Sequence, residues 1–322
     1  MGRRHGRDAT LLFTEIGLSR WVQSYQVLQV SSQSRQVINV SDSETLQEIL
    51  RWIRIGAQRQ MESLRVQFLQ YWEEEMEKPR NTDPKRLLRH GFKVYSQNDE
   101  DGILEEIFRR IGVSDRRFVE FGVQSGFECN TAKLLVEGWH GLWMEADSAF
   151  AAKIRAHFTD FLSLGKLQLI EEMVTAENIN DLLSRSGMSG DIDLLSIDID
   201  FNDYWVWKAV EVAKPRVVSI EYNASLRPPL SLVVPYDPKA AWKGGNYFGA
   251  SLAALVKLAR EKGYRIVGCG FAGVNAFFVR EDLCKDLFLE PATAEEHYEP
   301  PRYFSTVMPS GHSGKPGPYM TV

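Results

Sequence analysis

The segment Arg117-Phe-Val-Glu-Phe-Gly-Val-Gln-Ser-Gly126 decides the fold of this chain. Its first five residues form a short, mostly apolar run, which predicts a buried β-strand. Gly122 and Gly126 follow at once, and glycines let the backbone turn sharply and approach a ligand closely. A helix is predicted from Gly126 to Gly138. A strand, a glycine turn and a helix in this order are typical of the first unit of an α/β sheet.

The same alternation continues on the C-terminal side of this segment. Further apolar strands are predicted at residues 141–145, 167–170, 193–197 and 216–220, separated by helices at residues 150–161, 176–186 and 205–213. Because the apolar residues of these strands are mostly consecutive rather than on alternate positions, we expect a parallel sheet that is covered on both faces. A helix at residues 249–262 then leads to strands 265–269 and 275–279, whose short connection indicates a hairpin. The predicted fold class is α/β, with a Rossmann-like, mostly parallel seven-stranded sheet and a terminal antiparallel hairpin.

The first 90 residues are predicted to form a mainly helical N-terminal extension. Ser41-Asp-Ser-Glu44 is a capping box, and apolar residues at steps of three and four follow it to about Lys78. This stripe is equally typical of a seam between two subunits and of packing on the chain's own main domain, so a homodimer through the helix stays an alternative. Residues 9–40 stay open between strand and helix. Residues 291–322 are predicted to be an irregular tail, either solvated or folded over the site as a lid.

Composition excludes several classes of function. The 322 residues include 38 Lys and Arg against 43 Asp and Glu, a net charge of −5 that argues against a nucleic-acid partner. The three cysteines are far apart in the chain, so neither a disulfide framework nor a zinc site is indicated, and a reducing cytoplasmic location is expected. Asp8 and Glu15 interrupt the only candidate leader, and no apolar run is long enough for a membrane span.

An acidic residue stands at the end of the second predicted strand. Glu145 lies 19 residues after Gly126, close to the spacing of about 20 at which a carboxylate binds ribose hydroxyls in nucleotide-binding sheets. The turn is G-x-x-x-G rather than the G-x-G-x-x-G that holds a pyrophosphate. An adenosine-bearing cofactor is therefore expected, and S-adenosylmethionine is favoured over NAD, which leaves an NAD-dependent oxidoreductase as the weaker alternative.

Several segments together resemble a known superfamily. Phe118–Gly126, Trp143-Met-Glu-Ala-Asp147, Asp198-Ile-Asp-Phe-Asn-Asp203 and the terminal hairpin are similar to those of class I S-adenosylmethionine-dependent methyltransferases, over about residues 92–282. Tyr95-Ser-Gln97 followed by Glu100-Asp101 resembles the FkbM-like group within it. The resemblance implies an S-adenosylmethionine-binding methyltransferase domain at residues 91–290. It also implies methyl transfer to a hydroxyl of a small-molecule or glycan-like acceptor.

The resemblance assigns cofactor contacts by position. It implies that the methionine part borders the first turn, that the ribose binds at the second strand end and that the adenine lies near the third. The residues that it implies for the cofactor are Gln97, Glu120, Gly122, Gly126, Glu145, Glu171 or its neighbour Glu172, and Asp198, with Tyr95 closing over the site beside Gln97.

Carboxylates gather after the fourth and fifth strands, which the resemblance makes neighbours. Asp200 is predicted to be the base that takes the acceptor proton, with Asp198 second and Asn223 orienting the acceptor. A divalent cation would also relieve such crowding, with Asn223 as a further ligand, but no histidine and no fixed spacing support one, so no metal is predicted. The structural alternative is that Asp198 and Asp203 cap the next helix and Glu221 pairs with an arginine.

One residue departs from the pattern of the superfamily. Phe201 stands where glycine is usual after the fourth strand. Its bulk would narrow the acceptor pocket or reduce activity. A non-catalytic methyltransferase-like domain that serves in assembly or binding is therefore the alternative function.

Overall fold

The computed structural model of the protein describes residues 43–302 and 320–322. The chain divides into two units, residues 1–74 and residues 75–322. Helix α1, Ser43–Glu77, forms the described part of the first unit and ends in the second, close to the predicted end at Lys78. Residues 9–40 and the predicted helix start at Ser41 lie outside the described residues. Residues 75–90, which the sequence assigned to the extension, belong to the second unit.

The second unit is built on a seven-stranded sheet. Its strands and those of a small second sheet are, in chain order, β1 Arg117–Phe121, β2 His140–Met144, β3 Leu167–Ile170, β4 Gly190–Ile197, β5 Ala213–Glu221, β6 Leu232–Val233, β7 Tyr264–Cys269, β8 Asn275–Arg280 and β9 Met320–Thr321. The large sheet has the order β3-β2-β1-β4-β5-β8-β7, and β6 pairs with β9. β1 to β5 pair in parallel, whereas β8 is antiparallel to both β5 and β7. The predicted fold class is confirmed.

Helices cover both faces of the sheet. They are α2 Glu100–Ile111, α3 Ala132–Val136, α4 Ser148–His157, α5 Thr159–Ser163, α6 Ile179–Arg185, α7 Asp203–Ala209, α8 Leu252–Glu261, α9 Glu281–Cys284 and α10 Ala294–His297, with 3₁₀ turns at Pro79–Asn81 and Leu87–His90. The prediction of one helix over residues 126–138 was wrong, because only α3 forms. Gly126 has a φ of +79°, which a right-handed helix excludes. The prediction of a single helix over residues 150–161 was also wrong, because α4 ends at His157 and α5 begins at Thr159, with Phe158 between them.

The core lies in two layers, one on each face of the sheet. Within β1, Val119 and Phe121 pack into one layer and Phe118 packs into the other. All three side chains are fully buried. Each large apolar side chain buried in this way contributes about 1.5–3 kcal/mol. The two layers fix the register of the strands, and hence which residues emerge at the strand ends.

The strand order reverses at β1. The chain moves outward from β1 to β2 and β3, and then returns to place β4 and β5 on the other side. Ligands in such sheets bind beyond the carboxyl ends of the strands at this reversal. β4 and β5 pair with Ile197 beside Ile220, which brings Asp198 and Glu221, the next residues along each strand, next to each other. The predicted adjacency of these two strand ends is therefore present.

The C-terminal segment has more structure than the sequence indicated. α10 lies at Ala294–His297, and β9 pairs with β6. The hydroxyl of Tyr222 in the core donates to the carbonyl of Glu299 at 2.6 Å, which anchors this segment to the second unit. Residues 303–319, the remainder of the predicted tail, lie outside the described residues. None of the described helices is long and apolar enough to cross a membrane.

Candidate active site

A cleft of about 1030 Å³ opens beyond the carboxyl ends of β1, β2, β4 and β5. Sequence-predicted residues that line it are Gln97, Gly122, Glu145, Asp198 and Asp200, together with Glu172, which was the alternative to Glu171. It has six carboxylates, from Glu145, Asp147, Glu172, Asp198, Asp200 and Glu221. None of the described residues that line the cleft is a lysine, arginine or histidine. The cleft therefore favours a ligand with positive charge.

Gly122 lets the loops after β1 and β4 meet. Its φ is +72°, a conformation that L side chains rarely adopt. A β-carbon built on Gly122 would lie only 1.8 Å from the carbonyl oxygen of Asp198. Glycine is therefore required at this position for two reasons, its φ and the close backbone approach.

The carboxylate of Glu145, just after β2, holds the loop after β1 through a hydrogen bond. Its Oε2 accepts a hydrogen bond from the backbone N–H of Gln124 at 2.7 Å, and its Oε1 accepts one from the N–H of Asp147 at 2.8 Å. A carboxylate offers about four acceptor positions, so two remain for a ligand. Gln124 has a φ of +50°, which is unfavourable for a residue with a side chain, and the bond to Glu145 holds it there.

Two acidic residues at the start of α2 fix the loop that carries Gln97. Oδ2 of Asp101 accepts hydrogen bonds from the backbone N–H groups of Val94, Tyr95 and Ser96. Oε2 of Glu100 accepts one from the N–H of Asn98, and its Oε1 accepts one from the side chain of Asn275. As a result, Gln97 and Asn98 line the cleft, whereas Tyr95 is not among its lining residues.

Three carboxylates meet at the ends of β4 and β5. One oxygen each of Asp198, Asp200 and Glu221 lie within 4.8 Å of one another. Burial, and then the charge of Asp203, raise the pKa of Asp198 well above its usual value. Burial and the charge of Asp198 do the same for the pKa of Glu221. Burial also raises the pKa of Asp203 to about 7, although its Oδ1 accepts a hydrogen bond from the N–H of Ile199.

Asp200 lies in a strained turn. Its φ is +64°, and the N–H of Phe201 donates to the carbonyl of Ile199 at 2.7 Å, which closes a three-residue turn around Asp200. Phe201 is not among the residues that line the cleft, and its ring contacts that of Tyr247 at a centroid distance of 5.9 Å. Strained backbone of this kind persists only where the surrounding structure holds it in place, and it is found most often at functional sites.

Glu120 and Gly126 do not line the cleft. The carboxylate of Glu120 is buried and accepts hydrogen bonds from the backbone N–H groups of Asn130 and Thr131 and from the hydroxyl of Ser196. It therefore ties α3 to the sheet beneath the site. A β-carbon on Gly126 would lie 2.6 Å from the ring of Trp143, so this glycine permits close packing below the loop.

Asn223 and Glu171 also lie outside the lining residues. The amide nitrogen of Asn223 donates to the carbonyls of Asn246 and Phe248, and its oxygen accepts from the N–H of Ser225. Asn223 therefore positions the loop that carries Phe248. Glu171 pairs with Arg155 at 2.7 Å, and its neighbour Glu172 lines the cleft instead.

One wall of the cleft contains none of the residues that were assigned to the site from the sequence. It is formed by the segment between β6 and α8 and consists of Pro238, Ala240, Ala241, Trp242 and Phe248. The glycine-rich stretch Gly244–Gly249 was the sequence signal for this wall, since it could shape an acceptor pocket, although such stretches are also common before helices. Gly244 and Gly245 have φ values of +83° and +85°. This wall is mostly apolar, and it contrasts with the acidic strand ends on the other side.

Comparisons with known proteins give structural neighbours only. No family model and no curated protein matches the chain. Solved structures similar to the chain include magnesium protoporphyrin IX methyltransferase from Synechocystis PCC 6803 with bound SAM (12% identity, TM-score 0.38, 56% of this chain and 77% of that chain). The N-terminal domain of EvdMO1 with SAH bound (13%, 0.37, 67% and 94%) and the glycopeptide N-methyltransferase MtfA with sinefungin (16%, 0.36, 63% and 97%) are similar at the same level. Two of these neighbours are named as methyltransferases, one for magnesium protoporphyrin IX and one for a glycopeptide, and likeness this distant carries no argument about the chemistry of this chain.

Proposed function

We propose that the protein is an S-adenosylmethionine-dependent methyltransferase that acts on a hydroxyl of a small or glycan-like acceptor. One observation carries the proposal: the turn at Gly122 and Gln124 and the carboxylate of Glu145 line the same cleft, at the reversal of strand order. The resemblance of these segments to class I methyltransferases, and to the FkbM-like group among them, supports the same cofactor.

The residues present fit this cofactor. Glu145 has two acceptor positions left for the ribose hydroxyls, and Glu172 and Met173 line the part of the cleft next to β3, where the adenine is expected. Gln97 and Gly122 would border the methionine part. The carboxylates of Glu145, Asp147 and Glu172, which lie outside the cluster of three, suit a sulfonium, which carries a positive charge, and no basic residue is among the described residues that line the cleft. When bound, the cofactor would supply an activated methyl group to the acceptor oxygen.

The remaining chemistry belongs to the protein's own side chains. The acceptor would lie between the apolar wall at Trp242 and Phe248 and the carboxylate of Asp200. Asp200, the most exposed of the three clustered carboxylates, would accept the proton of the hydroxyl. Asp198, whose carboxylate lies beside that of Asp200, would be the second candidate for this role. Asn223 would act indirectly, by holding the loop that carries Phe248.

A non-catalytic role is the competing function. It was considered because Phe201 stands where glycine is usual, so that its side chain could narrow the acceptor pocket. That side chain contacts Tyr247 and is not among the lining residues, so its bulk gives the alternative little support. The described cleft retains a volume of about 1030 Å³.

Calorimetry on the whole chain tests the proposal. S-adenosylmethionine and its demethylated product should bind in the presence of a chelator, and NAD should not. Transfer of a labelled methyl group to hydroxylated glycans and small metabolites would then identify the acceptor. Binding of neither sulfur compound would refute the assignment, and binding without transfer to any acceptor would favour the non-catalytic role.

A further inference from the structure

The three clustered carboxylates have a geometry that a sheet imposes. β4 and β5 are parallel neighbours, and Asp198 and Glu221 are the first residues beyond the paired positions Ile197 and Ile220. Asp200 returns towards them through its strained turn. One oxygen from each residue comes within 4.8 Å of the others. This spacing allows all three oxygens to contact one ion at ordinary ligand distances of 2.0–2.6 Å.

Glu221 has a buried carboxylate oxygen whose hydrogen-bonding capacity is not used by the described residues. It is the most buried of the three and lines the cleft, and its Oε2 is shielded from solvent without a hydrogen-bond partner among the described residues. Asp203, which is 1% exposed, likewise leaves its Oδ2 without a partner in the described part of the chain. A buried carboxylate oxygen without a partner is costly, and native structures usually satisfy such groups with a ligand, water or ion.

No lysine, arginine or histidine is among the described residues that line the cleft. Elsewhere in the second unit, a buried carboxylate such as Asp193 has an arginine beside it, Arg216, at 2.8 Å. Oε2 of Glu221 has no such neighbour among the described residues that line the cleft.

From these observations we infer that Asp198, Asp200 and Glu221 bind one hard divalent cation of the Mg²⁺, Mn²⁺ or Ca²⁺ type. Oxygen ligands only, with no histidine or cysteine, select such ions over zinc or copper. Because Asp200 is exposed, the ion would keep coordination positions open towards the cleft. In these positions it could bind water or a hydroxyl oxygen of the acceptor. That last role rests on the proposed function, whereas binding of the ion does not.

Titration of the whole chain with Mn²⁺ alone, in the absence of any methyl donor, tests the inference. Calorimetry or electron paramagnetic resonance should detect one site with a dissociation constant below about 1 mM. Glu221→Gln and Asp200→Asn should each weaken Mn²⁺ binding at least tenfold. Both substitutions keep the shape of the side chain and remove a charge from a crowded cluster, and thermal unfolding will verify that the variants fold.

Glu172→Gln is the matched control. Its carboxylate lines the same cleft but lies outside the group of three, so its loss should change Mn²⁺ affinity less than threefold. If all three variants weaken binding equally, only diffuse attraction to an acidic cleft exists, and the inference is wrong. Failure of Mn²⁺ to bind would mean that protons relieve the crowding, and would overturn it as well. Either result leaves the proposed function standing, provided that S-adenosylmethionine binds in the presence of chelator.

Discussion

Gly122 faces the carbonyl oxygen of Asp198 so closely that a β-carbon at position 122 would lie 1.8 Å from that oxygen. This contact joins the loop after β1 to the loop after β4. The first loop should border the cofactor, and the second carries the carboxylates that should act on the acceptor. The backbone contact therefore fixes the position of one relative to the other.

We expect Gly122→Ala to lower cofactor affinity at least tenfold and to destabilise the fold by about 1–3 kcal/mol, because the two loops must separate. Gly138→Ala is the matched control. Gly138 also has a positive φ, of +87°, but a β-carbon there meets nothing within 4 Å. Calorimetry and urea unfolding of both variants will measure the effects. Equal effects in the two variants would mean that only the φ value matters.

Glu145→Ala should weaken binding of S-adenosylmethionine by about 1–3 kcal/mol, since it removes both the acceptor for hydroxyls and the hydrogen bond that holds Gln124. Glu171→Ala should leave affinity unchanged, because that side chain pairs with Arg155 outside the cleft. Calorimetry on the two variants compares them directly. Unchanged affinity in Glu145→Ala would remove the ribose assignment.

Asp200→Gly should raise the unfolding free energy by about 1 kcal/mol, because glycine adopts a φ of +64° without strain. The same variant should lose methyl transfer, since the proposed proton acceptor is gone. Asp200→Asn separates the two effects, as it removes the charge and keeps a side chain. Urea unfolding together with a methyl-transfer assay tests this trade-off, and a less stable glycine variant would contradict it.

Asp193→Ala should destabilise the fold by about 3–5 kcal/mol without changing cofactor affinity. Asp193 is fully buried, pairs with Arg216 and accepts backbone hydrogen bonds from Ser114, Asp115 and Arg116. Its removal leaves a buried guanidinium without its charge partner. Chemical unfolding and calorimetry at a temperature where the variant is folded would check both statements, and a weaker affinity would show that this end of the sheet influences the cleft.

Asp99 should make stability depend on pH. Burial, and then the charge of Glu100, raise its pKa to about 7, against an ordinary value of 3.8. Between these two values the folded chain holds a proton that the unfolded chain has released, so the contribution of Asp99 to stability falls as pH rises from about 4 to about 7.

Asp99→Asn should abolish that contribution. The amide oxygen can still accept the hydrogen bond from the N–H of Phe271 that the carboxylate now accepts. The variant should therefore gain stability over the wild type between pH 5 and pH 8, as measured by urea unfolding at both values. A constant difference between the two proteins across this range would contradict the assignment.

The strand ends could be predicted from the sequence because each follows a short, mostly apolar run. Gly122, Glu145, Asp198 and Glu221 are the first residues beyond β1, β2 and β4 or the last of β5, and in a parallel sheet these positions meet at one edge. Glu120 was assigned to the cofactor although it precedes the last residue of β1. Within a strand its side chain must point to a face of the sheet, and there it ties α3 down instead.

Other parts of the cleft depend on contacts that no local pattern encodes. Trp242 and Phe248 come from an irregular segment, and the amide of Asn223, 25 residues before Phe248 in the chain, holds the carbonyls of Asn246 and Phe248. The helix predicted from Gly126 begins only at Ala132, because Gly126 has a φ of +79°, and the N–H groups of Asn130 and Thr131 just before α3 donate to the carboxylate of Glu120. Tertiary contacts of this kind override helix propensity.

The acidic lining of the cleft has a consequence for turnover. Donation of a methyl group converts a positively charged sulfonium into an uncharged thioether, and the lining carboxylates outside the cluster of three, those of Glu145, Asp147 and Glu172, attract the first far more than the second. Spent cofactor would then leave readily and fresh cofactor would displace it, so the protein should suffer little inhibition by its own product. Added salt should erode this discrimination, because mobile ions weaken the field that creates it.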